Sequence, residues 1–182
     1  LSKFYACAYR ELAASHTSIR KINAGIVSSC LFGFALSYYA YIVETSKEID
    51  ESYEAMCDFS EHVSCTKAFM SEYGKGFGII PKNSPLYLPN SVYGLGFYVI
   101  VALLSISNSY IATFVVVIFG VLSNIGSVYL AYILYTLQDI CIVCISTYIV
   151  NAVNLILAIK KYRTIVSGSV ISSKKRKKKK RK

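Results

Sequence analysis

The stretch VIVALLSISNSYIATFVVVIF, residues 99–119, lies in the middle of a long run without a charged residue. The run extends from Asn83 to Gln138 and contains no Asp, Glu, Lys or Arg. A helix needs about 20 apolar residues to cross the hydrocarbon core of a bilayer, so this run is long enough for two spans. The polar segment SISNS, Ser105 to Ser109, separates them. The pattern therefore predicts two membrane helices joined by a polar turn.

Two further runs without charge complete the prediction of the fold. They cover Ile22 to Val43 and Ile140 to Ile159, and each can hold one span. A soluble helical bundle would need polar outer faces, which these apolar runs cannot supply. We therefore predict an all-α integral membrane protein, a four-transmembrane-helix bundle with a lumenal loop and cap between helices 1 and 2. The predicted spans are about 22–43, 91–107, 110–134 and 139–159.

The distribution of charge predicts the orientation in the membrane. The chain carries a net charge of +10, although 54% of its residues are hydrophobic. Basic residues dominate 1–21 and 160–182, whereas acidic residues dominate 44–82. Basic flanks remain in the cytosol, so both termini are predicted to be cytosolic. The predicted domains are a cytosolic arm (1–21), a transmembrane catalytic domain (22–159, with its lumenal loop at 44–90) and a basic cytosolic tail (160–182).

The basic tail has several interpretations. It ends in Lys179-Lys180-Arg181-Lys182, which fits the dilysine pattern for retrieval to the endoplasmic reticulum. Such a run also suits contact with anionic lipid. Basic runs are often nuclear signals or nucleic-acid patches, but four membrane spans argue against both. We therefore predict a multi-pass protein of the endoplasmic reticulum membrane, with membrane lipid and no nucleic acid among its partners.

Four of the six cysteines fall on the predicted lumenal side, where disulfides can form. Cys57 and Cys65 lie in the loop CDFSEHVSC, and Cys141 and Cys144 open the fourth helix. Residues three apart share one face of a helix, so the helix pair can bond or exchange. The N–H groups at a helix start stabilise a thiolate, the attacking species in disulfide exchange, and Asp139 is a candidate cap there. The other two cysteines are Cys7 in the arm and Cys30 in the first span, which we expect only to pack.

Three uses of the four cysteines remain open from the residues alone. Zinc is disfavoured because seven residues separate Cys57 from Cys65, even with His62 as a further ligand, so no metal is predicted. A static disulfide in each pair explains the loop better than Cys141 and Cys144, where a bridge closes a tiny loop and stabilises little. A relay explains both pairs. A lumenal donor would reduce the loop pair, the loop pair would reduce the helix pair, and the helix pair would reduce a membrane-soluble molecule such as a quinone.

Four segments, taken in order, resemble the vitamin K epoxide reductase family. They are CDFSEHVSC (residues 57–65), GKGFG (74–78), NSVYG (90–94) and CIVCISTY (141–148). The motif CxxC alone occurs widely, whereas all four segments between spans of this number and orientation form a specific pattern. The resemblance covers about residues 15 to 160.

The resemblance implies a redox activity and a role for each cysteine. In the family, vitamin K 2,3-epoxide is reduced to the quinone and the quinone to the hydroquinone. Cys144 matches the thiol that attacks the substrate, and Cys141 the thiol that resolves it. Cys57 and Cys65 match the shuttle pair, with Cys65 forming the mixed disulfide with Cys141. The implied reductant is a dithiol, supplied by a lumenal thioredoxin-like protein, and no cofactor is expected to bind tightly.

The resemblance also implies the residues that hold the ring. Asn90 and Tyr148 match the family's hydrogen-bond donors to the two quinone oxygens, and such donors stabilise the charge that develops as a thiolate attacks. Coumarin anticoagulants bind the same pocket in the family. The family usually has a tryptophan where Tyr73 stands, which leaves coumarin sensitivity open here. The aromatic residues predicted around the ring are Phe69, Tyr73, Phe77, Tyr93 and Phe97.

Two other functions use the same sequence features. A quinone-coupled thiol oxidase that promotes disulfide formation in secretory proteins would need the same four cysteines. A structural four-span protein with a disulfide-locked loop, as in claudins and tetraspanins, would not need quinone. Cys141 and Cys144 argue against the structural protein, because those folds place their cysteines in loops.

Overall fold

The computed structural model describes the backbone of residues 2–60 and 62–179 and the side chains of residues 17–60 and 62–168. Within these residues the chain forms helices and no strand. The side chain of Cys7 and the last residues of the basic tail lie outside the described residues. The helices are α1 (Ser2–Ile49), α2 (Cys65–Met70), α3 (Asn90–Ile106), α4 (Tyr110–Leu137) and α5 (Ile142–Lys179), and a 3₁₀ turn forms at Gly76–Gly78.

Three of these helices are long and apolar enough to cross a membrane. The apolar portions are Thr17–Ile49 of α1, Tyr110–Leu137, which is α4, and Ile142–Gly168 of α5. Helix α3 is also apolar but has 17 residues, so it rises about 26 Å at 1.5 Å per residue. That length lies at the short end of the range for a span. The all-helical prediction is confirmed and the chain fits a membrane protein, while the count of four spans depends on α3.

Each predicted span falls on one helix, but the start of the fourth was wrong by three residues. Helix α5 begins at Ile142, whereas the span was predicted from Asp139. The reason lies at Gln138, whose φ of 53° and ψ of 33° place it in the left-handed region. This conformation ends α4, as a left-handed residue commonly does, and the Asp139 amide then bonds back to the Leu134 carbonyl at 3.2 Å. Glycine usually marks such a position, and none stands here.

Small residues let α1 and α3 pack closely, as they do between membrane helices. A Cβ atom on Gly33 would lie 2.3 Å from the Tyr98 ring, and one on Gly94 would lie 2.5 Å from Ser37 Oγ. Helix α1 packs extensively against α3 and α5, and α5 packs against α4, whereas α3 and α4 touch less. The helix order around the bundle is therefore α3, α1, α5 and α4, with the looser seam between α3 and α4.

A buried lysine closes one end of the bundle. Lys161 on α5 is 1% exposed, and its Nζ donates to the carbonyls of Ser105 at 2.7 Å and Ser107 at 2.8 Å. These carbonyls belong to the end of α3, where a cation stabilises the negative end of the helix dipole. Asn23 on α1 bonds to Asn108 at 3.0 Å in the connection that follows α3. The connection between α3 and α4 is therefore fixed by side chains from α1 and α5.

We expect Gly33→Ala to destabilise the bundle. The new methyl group cannot fit beside Tyr98 unless the ring moves, and overpacking of this kind costs about 1–3 kcal/mol. Gly96→Ala on α3 is the matched control, because a Cβ atom at Gly96 meets nothing within 4 Å. Thermal unfolding in one detergent should show a lower midpoint for Gly33→Ala and an equal or higher midpoint for Gly96→Ala. Equal midpoints for the two variants would contradict the close contact.

We expect Lys161→Met to destabilise the connection between α3 and α4. Methionine keeps the length of the side chain but donates no hydrogen bond, at a cost of about 1–3 kcal/mol for each buried carbonyl left without a donor. Lys160→Met is the control, because Lys160 is exposed. Limited proteolysis should cut the Lys161→Met variant faster at residues 105–110 and leave Lys160→Met like the parent. Identical cleavage rates for both variants would contradict the role of Lys161.

Candidate active site

The loop cysteines form a disulfide in this structure. Cys57 and Cys65 are bonded, with their Cα atoms 5.8 Å apart. Cys65 is the first residue of α2, whose N-terminus is capped by Ser64 through a 3.1 Å bond from the Lys67 amide. Cys57 is 8% exposed and Cys65 is fully buried. Cys57 is therefore the slightly more exposed residue of the bonded pair.

Asp58 holds the loop around this disulfide. Its carboxylate accepts hydrogen bonds from the Ala55 amide at 2.9 Å, from Ser64 Oγ at 2.9 Å and from the amide (3.1 Å) and hydroxyl of Thr66. Partial burial raises the pKa of Asp58, but the bonds from Thr66, Ala55 and Ser64 outweigh that effect and lower its pKa to about 2. Asp58 and the two sulfurs lie within 4.8 Å of one another, but sulfurs bonded to each other offer no thiolate to a metal.

The helix cysteines lie beside the loop and are not bonded to each other. Cys141 and Cys144 are both free thiols, and Cys141 is fully buried in the same apolar cluster as Cys57 and Cys65. The Ile140 amide donates to the His62 carbonyl at 2.9 Å, which ties the loop to the residue before Cys141. The loop pair is therefore oxidised and the helix pair reduced, with Cys141 nearer to the loop.

Cys141 caps the helix that carries both thiols. Its Sγ accepts a hydrogen bond from the Cys144 amide at 3.2 Å, and its carbonyl accepts one from the Ile145 amide at 3.0 Å. The proposed cap at Asp139 was wrong, because Asp139 lies in the link before the helix and its Oδ1 is buried without a partner among the described residues. The Cys144 N–H at the start of this helix, a donor of the kind that favours a thiolate, therefore points at the Cys141 sulfur.

A cavity of about 550 Å³ lies between the four long helices and the cap formed by α2 and the residues up to Asn90. Its wall is mainly apolar, as in sites for small molecules. The structure brings most of the predicted site residues to this wall, whereas Cys57, Cys65 and Cys141 lie outside it. The predicted residues that line the cavity are Phe69, Tyr73, Phe77, Asn90, Tyr93, Phe97, Cys144 and Tyr148.

Asn90 also fastens the cap. Its Oδ1 accepts from the Phe77 amide at 2.9 Å, and its Nδ2 donates to the Tyr73 carbonyl at 2.6 Å. The main-chain N–H of Asn90 donates to the Gly74 carbonyl at 2.9 Å. Phe77 has a φ of 57°, between Gly76 and Gly78 with φ of 57° and 69°, so the cap turns sharply at this latch. One hydrogen of Nδ2 remains for a ligand.

Tyr148 lies on the same face of α5 as Cys144, one turn further into the bundle. Its side chain packs against the apolar cluster that contains Cys57, Cys65 and Cys141, as does that of Cys144. Its hydroxyl makes no hydrogen bond to any residue of 17–60 or 62–168, although the side chain lines the cavity. A phenol in this setting has a hydrogen to donate to a bound oxygen.

Comparison with known proteins identifies the family of this chain. The family model described as "Vitamin K epoxide reductase family" matches residues 25–159. The chain belongs to the vitamin K epoxide reductase family. It is 40% identical over 137 residues to vitamin K epoxide reductase complex subunit 1 of Mus musculus and 39% identical to that of Rattus norvegicus. Each match covers 72% of this chain and 85% of the relative.

In this member of the vitamin K epoxide reductase family, sequence reasoning missed a buried acid in the cavity wall. Glu44 is 2% exposed, and Ser91 Oγ donates to its Oε2. The distribution of charge predicts Glu44 to be the first residue of the lumenal loop. The helical period could have placed Glu44 in the bundle, because Ser37, Ala40 and Glu44 share one face of α1. All three residues line the cavity.

Sequence reasoning also missed a polar network deep in the bundle. Tyr98 donates to Asn151 Oδ1 at 3.0 Å, and Asn151 Nδ2 donates to Ser127 Oγ at 3.0 Å. Asn124 Nδ2 donates to the Asn151 carbonyl at 3.0 Å. These side chains join α3, α4 and α5 below Tyr148. The sequence pattern that could have indicated this network is the presence of single polar residues inside apolar runs.

We expect the loop disulfide of this reductase-family chain to become easier to reduce in acid. A carboxyl whose folded pKa is depressed stabilises the fold above its ordinary pKa and loses that effect as pH falls through the folded value. The Asp58 contribution should therefore fade from about pH 4 to about pH 2. The rate of reduction of the Cys57–Cys65 bond by a phosphine, divided by the rate for a small reference disulfide at the same pH, should rise across that window.

Asp58→Asn should give a faster rate of reduction at pH 6 and remove the rise between pH 4 and pH 2. Asp50→Asn is the control. The pKa of Asp50 is also lowered, by hydrogen bonds from Ser52, but Asp50 is exposed and bonds nothing near the disulfide. Its profile should follow the parent, and a parent-like profile for Asp58→Asn would rule out the role of Asp58.

Proposed function

We propose that this chain is a membrane oxidoreductase that reduces vitamin K 2,3-epoxide to the quinone and the quinone to the hydroquinone. One observation carries the proposal. The free thiol of Cys144 lines a cavity together with the seven residues predicted to hold the ring, while its neighbour Cys141 is buried beside the loop disulfide. Substrate and electron supply thus reach the CxxC pair from opposite sides.

The proposed electron path runs from the more exposed cysteine of the loop to the fully buried cysteines. A donor dithiol would attack Cys57, the slightly more exposed residue of the bonded pair, release Cys65 as a thiol, and then free Cys57 with its second thiol. Cys65 would then attack Cys141 of an oxidised helix pair and release Cys144, since Cys65 and Cys141 are buried in one cluster. Cys57 would next attack Cys65, which restores the loop disulfide and releases Cys141 as a thiol. The combination of a bonded loop pair and free helix thiols is the one that this exchange would leave behind, which supports the proposal. In this state the helix pair is ready to reduce substrate.

The proposed chemistry at the ring uses Cys144 as the nucleophile. Its thiolate would add to the ring, and Cys141 would then attack the Cys144 sulfur to form the helix disulfide and release the product. Tyr148 offers a free hydroxyl to one ring oxygen, and Asn90 offers the remaining hydrogen of its amide to the other. Both groups stabilise developing charge without placing a full charge in the membrane.

We propose four spans, with α3 as the second, in the membrane of the endoplasmic reticulum. The end of the bundle that contains Lys161 also contains Arg20, Lys21 and Lys160, while the opposite end carries the acidic loop. Basic flanks in the cytosol then place both termini there and the four cysteines of the site in the lumen. A lumenal thioredoxin-like protein is the proposed electron donor.

The cavity also bears on inhibitors and on the alternative functions. Coumarin-type compounds are proposed to enter the same space, beneath a cap in which Tyr73 lines the wall. A structural protein with a locked loop would need neither a cavity of about 550 Å³ nor free thiols at its edge. A quinone-coupled thiol oxidase would use the same path, and turnover of the epoxide is what distinguishes the two enzymes.

The test is turnover of vitamin K epoxide by the purified full chain, with either a small dithiol or a reduced thioredoxin-like protein as donor. Cys144→Ala should abolish turnover with both donors, because the nucleophile is lost. Cys57→Ala should keep turnover with the small dithiol and lose it with the protein donor. Cys30→Ala is the control, since Cys30 is a buried cysteine outside the cavity wall. Equal turnover by Cys144→Ala and the parent would contradict the proposal.

A further inference from the structure

One carboxyl group lies in the wall of the proposed substrate cavity with no role so far. Among the described residues that line it, Glu44 is the only Asp, Glu, Lys, Arg or His. Its side chain is almost completely buried. Ser91 Oγ donates to Oε2, whereas Oε1 has no hydrogen-bond partner within residues 17–60 and 62–168. The bundle therefore holds a single acid against an otherwise apolar and neutral space.

The acid lies at the reactive end of the cavity. Val43, the preceding residue, is fully buried in the cluster that contains Cys141, with Cys144 and Tyr148 packed against it. On α3, Ser91 follows Asn90, the latch of the cap. The carboxyl of Glu44 is thus in the wall formed by α1, the helix that packs beside α5, near the level of the CxxC pair.

The surroundings favour an acid that carries a proton. An ionised carboxylate buried without a cation costs several kcal/mol, and one hydroxyl donor offsets only part of that cost. Lys75 in the cap forms an ion pair with Glu48, one turn further along α1. A neutral carboxyl needs no cation and has an O–H to donate.

The reaction needs such a group. Reduction of a quinone adds a hydrogen to each ring oxygen. Asn90 can donate a hydrogen bond but not a proton. A free tyrosine phenol has a pKa of about 10 in water, so Tyr148 is a poor source of a proton near neutral pH. General acids work best when they release a proton near the working pH. A carboxylic acid in the wall meets this requirement.

Resting on the proposed function, we propose that Glu44 is the general acid that protonates the ring oxygen when Cys144 attacks. As the Cys144 sulfur bonds to the ring carbon, the electron pair of the conjugated carbonyl moves to its oxygen, which takes the proton of Glu44. Cys141 then attacks the Cys144 sulfur, the S–S bond forms, and the electron pair of the S–C bond returns to the ring.

The protons balance over one turnover. One thiol proton reloads Glu44, and the other is taken up by the second ring oxygen as the S–C bond breaks. Two S–H bonds are lost and two O–H bonds are formed, so the dithiol is oxidised to a disulfide and the quinone is reduced to the hydroquinone. Glu44 ends in the form in which it began, and no further reductant is needed.

Other titratable groups near Glu44 are few. Glu48 stands one turn along α1, Lys75 approaches from the cap, and Cys144 faces it from α5. The contact from α3 is the neutral Ser91, and α4 contributes no charged side chain to the wall among the described residues. A pH dependence that disappears on replacement of Glu44 alone is therefore assigned to Glu44.

The experiment compares Glu44→Gln with Glu48→Gln in the purified full chain, with vitamin K quinone and a small dithiol. Glutamine keeps the acceptor for Ser91 but cannot release a proton. Glu44→Gln should lower kcat by roughly 100-fold or more, within the range that general acids contribute, with KM within about threefold, and should remove the fall of kcat at high pH. Glu48→Gln, a change at an exposed residue, should keep the kcat of the parent and should still show a fall of kcat at high pH, because Glu44 remains.

The outcomes separate this proposal from the proposed function. If the parent does not reduce the quinone, the proposed function fails first. If the parent is active and Glu44→Gln keeps kcat within twofold, Glu44 is not the acid. Should Glu44→Gln fail to fold, Ser91→Ala removes the one hydrogen bond to the carboxylate, so the fall of kcat should move to higher pH. An unchanged profile in Ser91→Ala then overturns the proposal.

Discussion

A polar side chain inside these apolar helices has little water to bind, so a hydrogen bond to another part of the chain stabilises it. The bundle obeys this constraint at three levels. Lys161 bonds to the end of α3, Asn151 links Tyr98 to Ser127 at mid-depth, and Ser91 bonds to Glu44 at the cysteine end. Each link crosses between helices. The polar residues therefore fix how the apolar helices sit beside one another, a choice that apolar contacts alone make weakly.

Sequence patterns predicted the helices well because charge is so costly in a bilayer. The runs without charge mark α1, α3, α4 and α5 with few ambiguities, and the cysteine spacing marks the site. Helix ends were less predictable. Gln138 ends α4 in a left-handed conformation usually taken by glycine, and Cys141 occupies the cap position that Asp139 was expected to fill. Both depend on local backbone geometry rather than on hydropathy.

The site was predictable where its residues form motifs and not where they form pairs across helices. Cys144 and Tyr148 share a helix face, so their spacing places them together. Glu44 and Ser91 are 47 residues apart, and nothing in either local segment indicates that they meet. Asn90 shows both cases. Its place in the cavity wall was predicted, but its bonds to the cap arise from the folded path of residues 73–77.

The latch at Asn90 has a consequence for how this family can vary. Its amide bonds to the main chain of Tyr73 and Phe77, and main-chain groups are the same in every residue except proline. Side chains at these two positions can therefore drift without opening the cap, provided that the backbone can still make the turn. Tyr73, where the resemblance leads us to expect a tryptophan, is at such a position. The cap can thus alter the shape of the cavity, and with it the range of rings it admits, while its fastening stays constant.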